Sequence, residues 1–517
     1  MRHLLPLLMA IPAVAATHSF DVVVYGATSG GVIAAVAAGR EGLKTALLEP
    51  GRHLGGMSSG GLGRTDHGKK ETIGGYSLEF YQRLGKHYGE PVTWYFEPHV
   101  AEVTFQQMLK EGGVSVFFEH RLHQERAVKK KKRRITEISL ENGTAFEAKV
   151  FLDATYEGDL LAQAGASFTI GREGTTQYGE SLAGVRPKDR SHQFDFPVAA
   201  LDANKQPLAD IGLTPRGEIG AGDKKVQAYN FRMCLSDDPK NQIAYPKPAN
   251  YNPARWQLLL NYLDAFQKHN GRLPKLKGEL FIWSLMPNHK TDINNRGPVS
   301  TDYIGASWSY PSATYALRAQ MWQDHIDYTA GLFYFLANDT RVPESIRQEI
   351  SQWGLCADEF ASTNHWPHQL YVREALRLTG DFVMTQKDIQ AELTKPDAIG
   401  MGSYNSDSHN VQRYIQPDGT VQNEGNMEVR VEPYQIPYRV LLPKKKQVEN
   451  LLVPVCVSSS HVTYSTLRME PVYMILGHAA GVAAKMAIDA GIPVQEIDTK
   501  ALVQRLRKQG AVMEIKP

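Results

Sequence analysis

Cysteine is scarce in this chain of 517 residues, which contains only Cys234, Cys356 and Cys456. The odd count and wide spacing argue against a disulfide framework and against a metal site built on CxxC pairs. Buried free thiols are the better interpretation, a single bridge is left open, and no pair suggests a redox-active disulfide. The sequence also lacks a zinc-ligand spacing, a P-loop and a Ser-His-Asp motif. Hydrolase, metalloenzyme and NTPase functions therefore have no support, and no metal ligand is predicted.

Neither sign of charge dominates, because 57 basic and 55 acidic side chains give a net charge of +2. This balance gives no sign of a nucleic-acid or acidic-polymer partner, and the partner we predict is a small-molecule substrate. It leaves the oligomeric state open. Long apolar runs are missing after the N-terminus, so stable membrane insertion is not expected. The N-terminus differs, since Arg2 and His3 precede an apolar run that ends in small residues at 13–16. We predict a signal peptide at 1–16, and a secreted or periplasmic protein.

The strongest signal in the sequence is the segment 20–63. An apolar run ends in a glycine-rich turn, and a small-residue helix and a second apolar run ending at Glu49 follow it. This is the pattern of a βαβ unit whose first turn can hold a pyrophosphate, because backbone N–H groups and the helix dipole favour an anion there. Glu49 lies 23 residues after Gly26, where a carboxylate can accept hydrogen bonds from a ribose diol. The sequence therefore predicts a dinucleotide site.

The turn alone is weak support for such a site. Thr28 stands at its middle position, where close backbone approach normally prefers glycine. A tight strand–helix connection in any α/β protein would give a similar pattern. A second glycine cluster at 55–63 favours the cofactor, because it lets the backbone pass close to an extended molecule. An NAD site does not need that cluster, so an NAD dehydrogenase is disfavoured.

Later segments complete a resemblance to a known family. They are LDATYEGDLLAQAGA (152–166), GREGTTQYGESLAGVR (171–186), REALRLTGDFVMTQKD (373–388), GMGSYNSDSH (400–409) and the stretch 436–484. With the first βαβ unit, they make the chain resemble the glutathione-reductase-like FAD-binding superfamily. It is more closely similar to the FAD-dependent oxidoreductase family, which includes proteins called xanthan-lyase-like. The resemblance implies FAD as cofactor and an oxidoreductase reaction, and family members tolerate threonine in the turn.

The expected fold class is α/β, with a Rossmann-like FAD-binding domain and a second, mixed α+β substrate domain. The FAD-binding domain should hold a parallel sheet and an antiparallel β-meander over 114–152, with a hairpin turn at Asn142-Gly143. We assign 17–183 and 400–517 to this domain and 184–399 to the substrate domain. Apolar spacing further predicts helices over 77–86, 103–110 and 472–488, and a strand over 450–457.

The cofactor residues are assigned from the glycine pattern and the resemblance. They are Gly26, Thr28, Ser29, Gly30, Gly31, Glu49, Gly55, Gly56, Met57, Asp153, Ala154, Thr155, Ser459, Met469, Glu470 and Pro471. The resemblance also implies that the helix 472–488 points its N-terminus at the flavin pyrimidine edge. Its dipole would stabilise negative charge on the reduced flavin.

The catalytic assignment starts from what a flavin leaves to the protein, which is to place a substrate C–H bond at N5 and to handle a proton. Histidine suits the proton transfer. His461, in the loop after the cofactor strand, and His409, with Asp407 close in sequence, are the candidate bases. Arg373 and Arg468 would clamp an anionic substrate or neutralise reduced flavin, unless they form structural ion pairs.

The leading hypothesis is a secreted FAD-dependent oxidoreductase that transfers a hydride from a small polar substrate, such as a carbohydrate or polyol alcohol, to flavin N5. Two alternatives stay open. One is a flavoenzyme with no net redox, which eliminates or isomerises through a transient oxidation, and the other is a non-catalytic FAD-containing glycan-binding protein. Seven mid-chain aromatic residues form either a stacking wall for a sugar or, as we favour, a core. They are Trp283, Trp308, Tyr310, Tyr315, Trp322, Trp353 and Trp366.

Overall fold

Residues 16–515 are described by this computed structural model, which contains twenty strands and twelve α-helices in that range. The strands are β1 (Thr17–Tyr25), β2 (Thr45–Glu49), β3 (Ser115–Phe118), β4 (Val128–Lys131), β5 (Arg134–Ser139), β6 (Ala145–Asp153), β7 (Phe168–Thr169), β8 (Met233–Ser236), β9 (Gln242–Ile243), β10 (Phe281–Met286), β11 (Lys290–Asn295), β12 (Gly354–Cys356), β13 (Arg377–Leu378), β14 (Ala398–Gly402), β15 (Ser406–Ser408), β16 (Gln412–Ile415), β17 (Val421–Glu424), β18 (Met427–Val429), β19 (Tyr434–Pro437) and β20 (Leu451–Leu452). The helices are α1 (Ser29–Arg40), α2 (Gly75–His87), α3 (Pro98–Glu111), α4 (Asp159–Gln163), α5 (Thr175–Tyr178), α6 (Gln257–Asn270), α7 (Tyr315–Asn338), α8 (Glu344–Ile350), α9 (Gln386–Gln390), α10 (His461–Leu467), α11 (Glu470–Ala490) and α12 (Thr499–Lys508).

The main sheet has seven strands in the order β3-β2-β1-β6-β5-β4, with β20 paired to the end of β6. β1, β2, β3, β6 and β20 run parallel, whereas β4, β5 and β6 form an antiparallel meander. Val22, Val23 and Val24 in β1 are fully buried, as expected for a parallel sheet that is covered on both faces. The predicted α/β class, with a Rossmann-like parallel sheet and a meander, is confirmed.

The meander is smaller than the sequence predicts. Ser115–Phe118, expected to be its first strand, instead pairs in parallel with β2 at the edge of the main sheet. Alternation within a short strand does not reveal which neighbour it will pair with, so this prediction was wrong. The hairpin turn at 142–143 is present, with Gly143 at a φ of +84°. The strand predicted over 450–457 shortens to the two residues of β20.

The helix α11 packs against α1 through small residues. A Cβ at Gly477 would overlap the carbonyl oxygen of Gly30, and one at Gly481 would lie 2.5 Å from that of Ala34. Glycine at these two positions lets the helices approach closely. Among the described residues, α11 is the one helix long and apolar enough to cross a membrane, but 83% of its apolar segment is buried in the protein.

The middle of the chain forms a five-stranded antiparallel sheet in the order β10-β11-β8-β12-β9, with α6, α7 and α8 among its helices. Cys234 in β8 and Cys356 in β12 lie with their sulfur atoms 3.3 Å apart, and both thiols are free and buried. The sequence spacing of these cysteines gave no sign of this contact, although a single bridge was left open. Burial of all three thiols is as predicted.

Candidate functional site

The turn between β1 and α1 is built to receive an anion. The Thr28 hydroxyl accepts a hydrogen bond from the Gly31 N–H at 3.2 Å and donates to the Ala154 carbonyl at 2.7 Å. Thr28 therefore caps α1 from the position where other dinucleotide turns have glycine. Within the described part of the chain, the N–H groups of Ser29 and Gly30 have no acceptor. Two free donors at a helix N-terminus fit a pyrophosphate.

Two glycines of the site are required by their backbone geometry. Gly26 has a φ of +95°, and a Cβ there would lie 2.7 Å from Thr155. Gly56 has a φ of +54°, and its Cβ would overlap the hydroxyl of Tyr156. Side chains are disfavoured at positive φ and have no room here. The backbone at both places therefore comes as close to its neighbours as an extended cofactor site needs.

Glu49 ends β2 with its carboxylate turned toward the turn. It accepts hydrogen bonds from the Ala27 N–H at 2.8 Å and the Gly51 N–H at 2.7 Å. Burial raises the pKa of Glu49 to about 7, and these two bonds partly oppose the rise. The side chain is half-buried, and a carboxylate at the end of β2 is placed to accept from a ribose diol.

The carboxyl group of Glu470, at the start of α11, joins the separate cofactor segments. It accepts hydrogen bonds from the hydroxyls of Ser29, of Tyr156 at 2.7 Å and of Ser58 at 3.4 Å. Tyr156 in turn accepts from the Met57 N–H at 2.9 Å. Burial raises the pKa of Glu470 to about 7. The structure thus brings together the glycine turn, the second glycine cluster and the start of α11, as one FAD site would require.

The remaining predicted cofactor residues lie at or near the ends of strands and helices. The Asp153 carboxylate accepts from the Thr155 hydroxyl at 2.7 Å and the Leu161 N–H at 2.7 Å, so it shapes the loop after β6. Burial raises its pKa to about 6. The Ser459 hydroxyl is buried and has no partner in the described residues. Met469 precedes α11 as its N-cap, and the Pro471 carbonyl accepts a hydrogen bond from Ser77 at 3.0 Å. Gly55, at a φ of +94°, precedes the 3₁₀ turn that contains Met57.

A polar cavity of about 210 Å³ lies next to the start of α11, and we call it the arginine cavity. Arg468, two residues before α11, forms part of its wall. Side chains of both charges, two tyrosines and two histidines line it. The lining residues are Arg64, Asp66, His192, Arg232, Ile282, Asn294, Asn295, Arg296, Tyr371, Tyr404, Asp407, His409, Glu428 and Arg468.

His409 is the titratable group of this cavity with the geometry of a base. Its Nδ1 lies 2.7 Å from the Asp302 carboxylate, whose other oxygen is 2.9 Å from Arg373. Because a carboxylate only accepts, Nδ1 carries the proton and Nε2 keeps its lone pair. Burial lowers the pKa of His409 well below its usual value, and the guanidinium groups of Arg373 and Arg468 add to this effect. The imidazole is therefore neutral at neutral pH.

Asp407, the predicted partner of His409, is not the carboxylate nearest to its ring. Asp407 Oδ1 lies 3.8 Å from His409 Nε2, beyond hydrogen-bond distance. Asp407 thus lies beside His409, as the sequence proximity suggests, but the carboxylate in hydrogen-bond contact with the ring is that of Asp302, 107 residues away. No pattern around Asp302 pointed to it. His192, whose ring stacks on His409 with centroids 5.9 Å apart, was missed for the same reason.

The two predicted arginines have different positions. Arg468 lines the cavity, where it donates to the Tyr371 hydroxyl at 2.9 Å and to the Asp407 carbonyl at 2.7 Å. Arg373 is fully buried behind Asp302, with its guanidinium 4.8 Å from the Tyr371 ring centre. Arg468 is thus placed to contact a substrate, and Arg373 is placed to act through Asp302.

His461 lies in a separate cluster of charged groups. Its Nδ1 is 2.8 Å from Glu374, its Nε2 is 3.2 Å from the Ser408 hydroxyl, and its backbone N–H donates to Glu173 at 2.9 Å. Burial, followed by the charge of Arg377, lowers its pKa to about 3. Both ring nitrogens have protein partners, and the residue does not line the arginine cavity. Its catalytic role stays a prediction.

One group of residues in the described range has the spacing of metal ligands. Glu97, His99 and Glu359 bring their ligand atoms within 4.8 Å of one another. The ammonium group of Lys290 already lies among them, 2.7 Å from Glu97 and 2.8 Å from Glu359. The cluster therefore satisfies a buried lysine.

Comparison with known proteins identifies the family. The family model described as "FAD dependent oxidoreductase" matches residues 21–506. No protein with curated annotation matches the chain. Among solved structures, L-proline dehydrogenase from P. horikoshii is 15% identical with a TM-score of 0.24, over 31% of this chain and 59% of its own. OxyS anhydrotetracycline hydroxylase from Streptomyces rimosus is 15% identical with a TM-score of 0.23, over 33% and 40%. The chain thus spans about half the length of these structures. TM-scores this low do not bear on the function of the chain. The match over residues 21–506 shows that the chain belongs to the FAD-dependent oxidoreductase family and takes FAD as its cofactor.

Proposed function

We propose that this oxidoreductase removes a hydride from an alcohol carbon of a small polar substrate, a carbohydrate or polyol, bound in the arginine cavity. The observation that carries the proposal is the Asp302–His409 pair, which turns a neutral imidazole nitrogen toward a polar cavity beside the start of α11. FAD, held by the glycine turn, Glu49 and the residues around Glu470, supplies the hydride acceptor when bound.

The chain's own part of the reaction is proton transfer at the substrate hydroxyl. His409 Nε2 accepts the proton of the substrate hydroxyl, which makes hydride loss from the carbon that carries this hydroxyl easier. Asp302 holds the Nδ1–H and stabilises the imidazolium that forms. Arg373 lies behind Asp302 at 2.9 Å and keeps that carboxylate in place. Asp302 and Arg373 are positioning residues in this scheme.

The lining of the arginine cavity supports a polyhydroxy substrate. Asp66, Asp407 and Glu428 can accept hydrogen bonds from hydroxyls, and Asn294 and Asn295 can donate or accept. Arg468 adds donors from the wall beside α11. Guanidinium and carboxylate groups both line this small volume, so the cavity does not select a substrate of one charge. Many hydroxyls on a neutral molecule match such a lining best.

The test of substrate class is anaerobic mixing of the FAD-loaded protein with a panel of sugars, polyols and amines. We expect at least one sugar or polyol to bleach the yellow flavin absorbance, and oxygen or another acceptor to restore it. Tightly bound FAD that no member of the panel reduces would contradict the proposal. Turnover of a panel member without any acceptor would instead point to elimination or isomerisation with no net redox.

We further propose that the protein is exported, because residues 1–16 have the pattern of a signal peptide. All but the last of these residues lie outside the described range. Expression of the full chain, followed by N-terminal sequencing of the exported protein, tests this. A mature N-terminus near Thr17 is expected, and an exported or retained protein that keeps Met1 would contradict it.

A further inference from the structure

A second cavity, of about 320 Å³, lies where the parallel strands end, and we call it the strand-end cavity. One of its walls belongs to the sheet, because Tyr25 ends β1, Pro50 follows β2 and Thr155 follows β6. Open parallel sheets bind dinucleotides at this carboxyl edge. Glu49, the expected ribose ligand, immediately precedes Pro50. The strand-end cavity therefore lies on the adenosine side of the FAD site.

The opposite wall comes from the middle of the chain, which the sequence assigned to the substrate domain. Tyr310, Tyr315 and Trp322, from the start of α7 and the turn before it, line the strand-end cavity. These three residues are among the aromatics for which a core or a sugar-stacking wall was expected. The structure gives them a different neighbour, the edge of the dinucleotide-binding sheet.

The start of α7 is held firmly over this edge. Arg318 forms a two-point ion pair with Asp159 of α4, at 2.7 and 3.0 Å. The same guanidinium donates to the carbonyl groups of Tyr310 at 3.0 Å and Pro311 at 2.9 Å. Bidentate pairs of this kind fix orientation as well as distance. The aromatic wall is therefore in place before any ligand binds.

One feature of the wall is unexplained by contacts within the protein. The Tyr315 hydroxyl is shielded from solvent and has no hydrogen-bond partner among the described residues. An unpaired buried hydroxyl is costly, and it is expected where a ligand completes the hydrogen bond. The guanidinium of Arg121, which also lines the cavity, lies 4.7 Å from the Tyr315 ring centre and donates to the Glu141 carboxylate at 2.6 Å. The cavity thus offers aromatic faces together with one unpaired hydroxyl.

We propose that the start of α7 forms the wall over the adenosine half of FAD, with Trp322 against the adenine ring and the Tyr315 hydroxyl bonded to the nucleoside. Purine rings stack on aromatic side chains, and a ribose or adenine edge supplies the missing hydrogen-bond partner. The proposal concerns the retention of FAD, so it stands or falls separately from the substrate and base proposed above.

The experiment measures FAD release from the loaded protein by the recovery of flavin fluorescence on dilution. Trp322→Leu removes the aromatic face and is expected to raise the Kd for FAD at least about tenfold. Tyr315→Phe removes only the unpaired hydroxyl. It is expected to weaken FAD binding several-fold while leaving the melting temperature of the FAD-free protein unchanged, because that hydroxyl has no partner in the protein.

FMN, which lacks the adenosine half, serves as the second ligand in the same assay. Its affinity is expected to be equal in wild type, Trp322→Leu and Tyr315→Phe. Trp353→Leu, at a half-buried tryptophan packed edge-on against Trp283, is the matched control and should change neither affinity. Unchanged FAD affinity in both cavity variants, or an equal loss of FAD and FMN affinity, would overturn the proposal. If Trp322→Leu does not fold, Tyr315→Phe decides alone.

Discussion

The protonation state of His409 is determined by a few neighbouring side chains. Its ring is buried, the guanidinium groups of Arg373 and Arg468 disfavour a positive charge on it, and Asp302 fixes its one proton on Nδ1. A base must be neutral to act, so lowering its pKa widens the pH range in which it works. The surroundings of His409 thus extend that range to the acid side.

The pH dependence of flavin reduction should show this effect. Unperturbed histidine has a pKa of about 6.5, and burial lowers the pKa of His409 well below that value. With a reactive substrate, the reduction rate is expected to stay level as the pH falls through 6.5 and to drop only at lower pH. Stopped-flow absorbance across pH 5–8 measures it. An acid limb centred at or above about 6.5 would contradict the assignment.

Long-range side-chain pairs could not be predicted from the sequence. His409 could be named as a candidate base, but its partner Asp302 is 107 positions away and no local pattern marks it. By contrast, the first glycine turn and Glu49 could be predicted, because a short βαβ unit fixes their relative places through local geometry. Cys234 and Cys356 meet only through strand pairing between β8 and β12, which their spacing does not encode.

Among the elements, the contact of α1 with α11 determines how the two ends of the chain form one site. The N-terminus of α1 is the expected anion site, and α11 carries Glu470 to that point, where it contacts Ser29. Their small residues could be recognised in the sequence, and the extent of both helices agrees with the apolar pattern. The pairing of β3 with β2 could not, because its four residues fit either neighbour.

A glycine-to-alanine pair tests this helix contact. Gly477→Ala places a methyl group against the Gly30 carbonyl and is expected to lower the free energy of unfolding by about 1–3 kcal/mol. Gly331→Ala, inside α7, is the matched control, since its Cβ would have 3.4 Å or more to every neighbour. The control should be neutral or stabilising by up to about 1 kcal/mol. Urea unfolding measures both, and equal effects of the two substitutions would contradict the packing account.

Across the whole molecule, two sets of buried titratable groups have opposite effects on how the free energy of unfolding changes with pH. Burial lowers the pKa of four histidines to about 3 or 4, so the unfolded chain binds their protons first and stability falls as the pH drops below 6.5. Burial raises the pKa of four acids to about 6 or 7, so the native state binds their protons first and stability falls as the pH rises from about 4.5 to 7. The groups are His325, His368, His461 and His478, and Glu49, Asp153, Glu157 and Glu470.

The free energy of unfolding of the FAD-free protein should therefore change little between pH 4.5 and 6.5 and fall steeply below that range. In that range each histidine alone would make the free energy of unfolding rise with pH by about 1.4 kcal/mol per pH unit. The acids have a slope of opposite sign, which offsets that of the histidines. Urea denaturation followed by circular dichroism at half-unit pH steps measures the profile. A steady slope of several kcal/mol per pH unit across pH 4.5–6.5 would show that one of the two sets is not buried as described.

The central claim is that proton transfer occurs at His409 in the arginine cavity. The rate of anaerobic flavin reduction by a reactive sugar or polyol tests it most directly, in His409→Asn, His461→Asn and the exposed control His289→Asn, each verified as folded and FAD-loaded. We predict that His409→Asn slows reduction by about 10²–10⁴-fold, whereas the other two remain within a few-fold of wild type. A larger loss in His461→Asn than in His409→Asn would contradict the claim.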